Sequence, residues 1–311
     1  MVAVIVAMTE IGCDRPLTAL PTPLPEPVHD ARPDPAPGAL WFGGDVHFGV
    51  SARSGLGDIA PILAGAVGIV NLEGPISMGE GGSQVRDGVV TLRNPRETAT
   101  HLLNLGVRVM GTANNHRDDA LTPDDALSWA LASPKRAGIE RVDSTGGIVV
   151  HDADVNLFAY DLQDPDLPGE LTAALDEIRR GLRVVSLHVT GPASYLPRLE
   201  LVALVDMAVD HGADIVVAHG THVIGPVERR GKTVIAWGLG NLFFDCECTS
   251  EDEALILRVS IVDDHPAQVI PIRAGLGGRD AMLHENAAAV FDLLAGLGSS
   301  PLTRGPHAAD F

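Results

Sequence analysis

The chain has 311 residues, 41 of them acidic against 22 basic, for a formal net charge of −19. That length is enough for one large domain or two small ones with a sizeable core, and 45% hydrophobic with 20% charged residues is ordinary for a globular protein. The acidity argues against a nucleic-acid partner, which needs a basic face; an anionic substrate stays open, because a metal ion can supply positive charge locally.

Residues 1–8, "MVAVIVAM", are apolar, and Cys13 follows within "EIGC". This arrangement resembles a bacterial lipoprotein leader with Cys13 as the lipidated residue, although no Lys or Arg precedes the short apolar run and Glu10 interrupts it. From Pro16 to Pro37 the chain carries eight prolines, which disfavour helix and sheet interior and suit an extended stalk. Residues 1–38 are therefore expected to be a lipoprotein leader and proline-rich linker, with a disordered tail and a chance cysteine as the alternative. A folded domain is expected over 39–275, and a C-terminal helix and tail over 276–311. No run of about 18 apolar residues is present, so no spanning helix is expected.

Past Ala39, strand-like apolar runs alternate with helix-like segments. The runs are "ALWF" (39–42), "VGIVNL" (67–72), "VRVMGT" (107–112), "LRVVSLHV" (182–189), "ADIVVAH" (213–219) and "TVIAWGL" (233–239). Between them, "NPRETATHLLNLG" reads as a helix capped by Asn94 with Pro95 at its first position and Gly106 as its stop. "TPDDALSWALA" reads as another, with Thr122 or Asp124 near the cap, and "LPRLELVALVDMAVDHG" as a third that ends at Gly212. This alternation predicts an α/β fold with largely parallel pairing. Three stretches with β-rich arms about a polar turn look antiparallel instead: "GGIVVHDADVNLFAY", "VERRGKTVIAW" and "LILRVSIVDDHPAQVIPI". The sheets are therefore expected to be mixed. Cys246 and Cys248, in "DCECTS", lack common zinc-site spacing. They read as two half-exposed thiols, with a local disulfide as the alternative in an oxidising compartment.

Metal-competent groups recur at the carboxyl ends of the runs, where the sites of open α/β sheets lie. "WFGGDVH" ends in Asp45 and His47, "IVNLEGP" in Glu73, and "GTANNHRDD" supplies Asn114, Asn115 and His116. "VVSLH" ends in His188, and "VVAHGTH" in His219 and His222. Taken singly, each has a plain alternative: Asp45 or Glu73 as a turn residue, His188 as a hydrogen-bonded strand-end histidine. Five of the chain's 12 histidines fall at such ends, and it is the accumulation that points to metal. Imidazole and carboxylate suit Zn, Mn or Fe. Seven groups exceed one tetrahedral site but suit two ions, an arrangement that can hold a phosphoryl group and activate water. The Asp-x-His spacing puts Asp45 and His47 on one side of an extended chain.

"GGDVH" (43–47), "NLEGP" (71–75), "ANNHRDD" (113–119), "SLH" (186–188), "AHGTH" (218–222) and "GLGNLFFD" (238–245) occur in the order of a known pattern. The chain resembles the CapA family of bacterial capsule-synthesis proteins, of the poly-γ-glutamate type, within the calcineurin-like metallophosphoesterase superfamily. The resemblance covers about residues 39–250, and it departs at Ala218, Gly238 and Ala120-Leu121. It implies a four-layer αββα sandwich of two mixed β-sheets flanked by helices. It also implies two divalent metal ions, one held by Asp45, His47 and His222 and the other by Asn115, His188 and His219, with Glu73 bridging. His116 is then the general acid and Asp119 the residue that orients its ring. Asn114 and Arg93 are expected to meet substrate, although a solvated helix-start arginine is the plainer reading of Arg93.

Two functions follow from the resemblance, beside a third reading, a metal-binding domain of cytosolic metabolism, which requires the leader to be a miscalled start. One is a metal-dependent hydrolase of a phosphoester, or of an amide bond in an anionic polymer, working at the cell envelope beside a capsule-synthesis membrane complex. The other is a non-catalytic surface protein that guides such a polymer during export. The first is favoured, because His116 beside Asn115 has no evident structural use.

Overall fold

The first strand-like run extends beyond its apolar residues to become β1, Ala39–His47, buried along its whole length. In chain order there follow β2 (Val67–Leu72), the hairpin β3 (Gly82–Arg86) and β4 (Val89–Arg93), β5 (Val107–Gly111), β6 (Glu140–Val142), β7 (Thr145–Val150), β8 (Ala153–Asp161) and β9 (Leu182–His188). Then come β10 (Ile215–His219), β11 (Val227–Arg230), β12 (Thr233–Ala236), β13 (Asn241–Phe244), β14 (Glu253–Ser260) and β15 (Ala267–Arg273). The computed structural model describes residues 38–77, 81–119, 138–150, 153–246, 248–262 and 264–311. The leader with Cys13, the proline-rich stretch, the helix expected over 122–132 and the Ala120-Leu121 departure lie outside the described residues. All described residues belong to one compact unit, Pro33–Phe311.

Apart from the separate two-stranded β3–β4 hairpin, the described strands form two mixed sheets. In the first, β1, β2, β5 and β6 run parallel, and β14 and β15 close the other side as an antiparallel pair. In the second the order is β11-β12-β10-β9-β8-β7, parallel at its centre with an antiparallel hairpin at each edge. All three hairpins expected from the sequence are present. The segment after residue 276 adds the short strands Thr303–Arg304 and Ala309–Asp310 to the first sheet.

Side chains alternate across each strand, so each sheet fills two cores. Leu40, Phe42 and Ile69 face Leu157, Val184, Ile215 and Val217 in a core between the sheets, joined by Val290 and Phe291 of the helix Ala287–Gly296. Trp41, Val70 and Leu72 point the other way, against Leu102 of the helix Thr98–Asn104. Val185, Leu187 and Val216 pack under the helices Leu167–Glu177 and Leu199–Asp210. The result is an α/β sandwich of two mixed sheets flanked by helices. The last of these helices stops as expected, with Gly212 in the left-handed region at φ +83°.

Two local expectations are corrected. The helix after β4 begins at Thr98 rather than Pro95, and Asn94 does not cap it. Asn94 is instead fully buried: its Oδ1 accepts from the Phe48 N–H at 2.8 Å, and its Nδ2 donates to the carbonyls of Glu73 (2.7 Å) and Gly74 (2.9 Å). A buried amide with three backbone partners outweighs one helix cap. Cys246 and Cys248, expected as thiols, are joined in a disulfide.

Candidate metal centre

The carboxyl ends of β1, β2, β9 and β10 meet at one edge of the sandwich. Asp45 and His47 lie on β1, in parallel register with β2, so Asp45 stands beside Asn71 and Glu73 follows one residue past the end of β2. On the second sheet His219 is in register with His188. Close backbone approach at this edge needs glycine. A Cβ on Gly44 would lie 1.9 Å from the Gly240 carbonyl oxygen, and one on Gly220 2.5 Å from His188 Nε2. Gly220 also takes φ +87°, which L side chains rarely adopt, and its N–H donates to Asp45 Oδ2 at 3.0 Å.

Asp45 is wholly buried, with His222 Nδ1 at 3.4 Å and His219 Nδ1 at 3.6 Å from its two oxygens. Burial alone would raise this carboxyl; the neighbouring His219 imidazole, with the charges of His222 and His188, overcomes it and holds the group below its ordinary value. Glu73, equally buried, has His188 Nε2 at 3.4 Å and His116 Nε2 at 3.9 Å. Burial would depress His188, but Glu73 and Asp45 raise it above the ordinary histidine value; for His222 the same balance, with Glu73 and Asp45 against burial, again ends in a rise. His47 has less compensation, and burial pushes it down to about 4.

Asn71 ties the two carboxylates, donating from Nδ2 to Asp45 Oδ1 at 2.9 Å and to Glu73 Oε1 at 3.4 Å. Its own Oδ1 accepts from Asn114 Nδ2 at 3.1 Å, and Asn114 also donates to the Leu72 carbonyl and accepts from the His116 N–H. The Asn114 amide expected to meet substrate is thus engaged inside the protein. His116 is held by its Nδ1, 2.6 Å from Asp119 Oδ2, and Asp119 is fixed in turn by the Leu92 N–H at 2.8 Å. His222 has φ +57°, a left-handed conformation uncommon for a residue with a side chain. It is braced by Asn241 Oδ1 at 2.9 Å from its Nδ1 and by the edge of the Phe244 ring, centroids 4.8 Å apart.

The donor set fits a metal on two counts. Asp45, Glu73 and His222 each offer a ligand atom, all within 4.8 Å of one another. Around them, both ring nitrogens of His47, Nδ1 of His188 and Nδ1 of His219 are buried without a hydrogen-bond partner. Such orphaned polar atoms are costly unless another group satisfies them, and imidazole with carboxylate suits a divalent ion.

Of the residues singled out in the sequence, Asp45, Glu73, His116, Asp119, His188, His219 and His222 are linked by these contacts, and His47 joins them through its electrostatic coupling to Glu73 and His116. Asn115 is exposed on the turn between Asn114 and His116, and Arg93 is half-buried at the end of β4. Asn71, Asn94 and Asn241 were missed as site residues, though the first and last stand inside the motifs "NLEGP" and "GLGNLFFD".

A protein-family model described as bacterial capsule synthesis protein PGA_cap matches residues 25–146 and 132–246. The PGA biosynthesis protein CapA of Bacillus subtilis (strain 168) is 37% identical over 76 residues, which are 21% of this chain and 20% of that one. The match therefore spans about a fifth of that relative. A hypothetical protein from Thermus thermophilus, known from its crystal structure, superposes with a TM-score of 0.51 at 15% identity, over 75% of this chain and 97% of the other; at that identity the likeness concerns the fold alone. The family match takes in every strand that brings a histidine or carboxylate to this edge, and on that extent the chain belongs to the bacterial capsule synthesis protein family PGA_cap.

Proposed function

We propose that this edge is the active site of a hydrolase that uses two divalent ions, of Mn, Zn or Fe, and cleaves a phosphoester or an amide bond in an anionic capsule polymer such as poly-γ-glutamate. The observation that carries the reading is His116. Its Nδ1 is taken by Asp119 while its Nε2 faces Glu73, amid buried imidazole nitrogens of His47, His188 and His219 that lack partners. A histidine needed only for packing has no reason to be held by one nitrogen and aimed by the other.

Asp45, His47, Glu73, His188, His219 and His222 would hold the ions, with Asn115 available at the rim. When bound, they supply the positive charge that draws and polarises an anionic substrate toward a chain of net charge −19. The rest of the chemistry belongs to the chain. Asp119 holds the His116 ring in one orientation, so Nε2 is the nitrogen left to pass a proton to the departing oxygen or nitrogen. Asn71 separates and satisfies the two buried carboxylates. Arg93, at the end of β4, is our candidate for a contact with an anionic substrate.

The family and the CapA relative support work at the cell envelope, and an anchor at Cys13 with a proline-rich stalk would hold the domain there beside a capsule-synthesis complex. Among the described residues no helix is long and apolar enough to cross a membrane. Metal analysis of the purified protein, then assay on phosphomonoesters, phosphodiesters and γ-glutamyl substrates, tests the reading. Turnover that needs metal and falls in His116→Gln supports it. A metal-loaded protein that binds poly-γ-glutamate but cleaves none of these would identify a polymer-guiding protein instead.

A further inference from the structure

The family pattern accounts for the residues that carry donor atoms, but not for how the strained His222 presents the right one. A neutral imidazole has one N–H and one lone pair, and only the lone pair binds a metal. Asn241, fully buried on β13, faces this ring. Its Nδ2 lies 3.0 Å from the backbone carbonyl oxygen of Glu251, a group that can only accept. The amide orientation is therefore settled by chemistry: a flipped amide would set its oxygen against the Glu251 carbonyl oxygen and forfeit that hydrogen bond. Oδ1 is left facing His222 Nδ1 at 2.9 Å, and an amide oxygen can only accept. The ring nitrogen must carry the proton. The next group to that nitrogen, Asp45 Oδ2 at 3.4 Å, is an acceptor too.

The backbone makes this arrangement rigid. Asn241 is in parallel register with Asp45, and the Asp45 N–H donates to the Gly240 carbonyl at 3.0 Å. The strand that carries one candidate ligand thus fixes the amide that orients another.

We propose that Asn241 is a positioning residue that locks His222 as the Nδ1–H tautomer and so leaves Nε2 as its metal-binding nitrogen. The inference rests on the metal-centre reading above, but its primary test needs no metal. Long-range ¹⁵N–¹H NMR of the metal-free protein at mildly basic pH, with the His222 signals assigned by their loss in His222→Gln, reports which ring nitrogen is protonated. The wild type should show Nδ1–H. Asn241→Asp, which still accepts from Nδ1 although it gives up the bond to Glu251, should keep that tautomer, and Asn241→Leu, which leaves Nδ1 only the longer contact to Asp45, should lose it. Zinc titration should show Asn241→Leu weakened about 10–100-fold, the usual effect of losing the partner that orients a ligating histidine, with Asn241→Asp much nearer wild type. Should the leucine variant not fold, Asn241→Ala is read the same way. An Nε2–H His222 in the wild type, or an apolar variant that retains Nδ1–H, overturns the proposal. A wild type that binds no zinc would sink the metal-centre reading, while the tautomer measurement still decides the role of Asn241.

Discussion

Replacing Asn94 by Ala tests whether the loop that carries Glu73 is held from beneath by one buried amide. The substitution removes three hydrogen bonds at once and strands the Phe48 N–H and the Glu73 and Gly74 carbonyls in a fully buried position. Each stranded group costs about 1–3 kcal/mol; partial relaxation and water entry bring the expected loss to about 3–6 kcal/mol. Domains of this kind have roughly 5–15 kcal/mol in total, so the variant should sit near the limit of folding. Urea denaturation, with the midpoint lowered and the slope unchanged, is the measurement. Asn94→Asp gives a sharper contrast. It keeps Oδ1 for Phe48 but turns a second oxygen toward two carbonyl oxygens, so at neutral pH it should be at least as damaging as Ala. A loss below about 1 kcal/mol for Ala, against the cost expected of stranded buried groups, or a milder effect of Asp than of Ala, would refute the reasoning.

Replacing His116 by Gln should leave metal content near wild type yet slow turnover about 10²–10⁴-fold, most on substrates with poor leaving groups; loss of metal in this variant would make His116 a ligand. Replacing His219 or His222 by Ala should lower bound metal, read by elemental analysis, by up to about one ion and abolish hydrolysis. The metal-free protein should be acid-sensitive through His47. Its folded value, about 4, lies below the ordinary 6.5, so the unfolded chain binds the extra proton and stability falls as pH drops from 6.5 toward 4. Between pH 7 and pH 5 the denaturant stability of wild type should fall by about 2 kcal/mol more than that of His47→Leu; parallel falls would exclude His47 as the cause.

The architecture was legible wherever an apolar run had a clear period. The runs at 67–72 and 107–112 match β2 and β5 to within a residue, and the three polar-turn stretches became hairpins. The four-residue β13 was not legible, because "NLFF" is too short to carry a period and is buried throughout. The exposed hairpin β3–β4 was also passed over, despite the Asp87-Gly88 turn between its arms. At the site, histidines and carboxylates declared themselves by type and by place at strand ends. The asparagines that arrange them did not. Asn94 reads locally as a helix cap, and only a fold that brings Phe48 to it, 46 residues away in sequence, reveals its use. Asn114 looked like a substrate contact for the same reason: its partners Asn71 and Leu72 lie 43 and 42 residues distant.

The two-sided edge of β1 has a consequence for synthesis. Its first half, Ala39–Phe42, is zipped to β14, while its end, Asp45–His47, waits for β13. Gly220, whose N–H steadies the Asp45 carboxylate, lies 175 residues downstream. At about 5–20 residues per second, a ribosome needs roughly 10–35 s to reach it. Throughout that interval the Asp45 carboxylate can meet Asn71 but lacks the Gly220 donor, and His219 and His222 are not beside it. A chain interrupted before β10 would have neither His219 nor His222, so the candidate centre is complete only once β10 and the turn that follows it have been made.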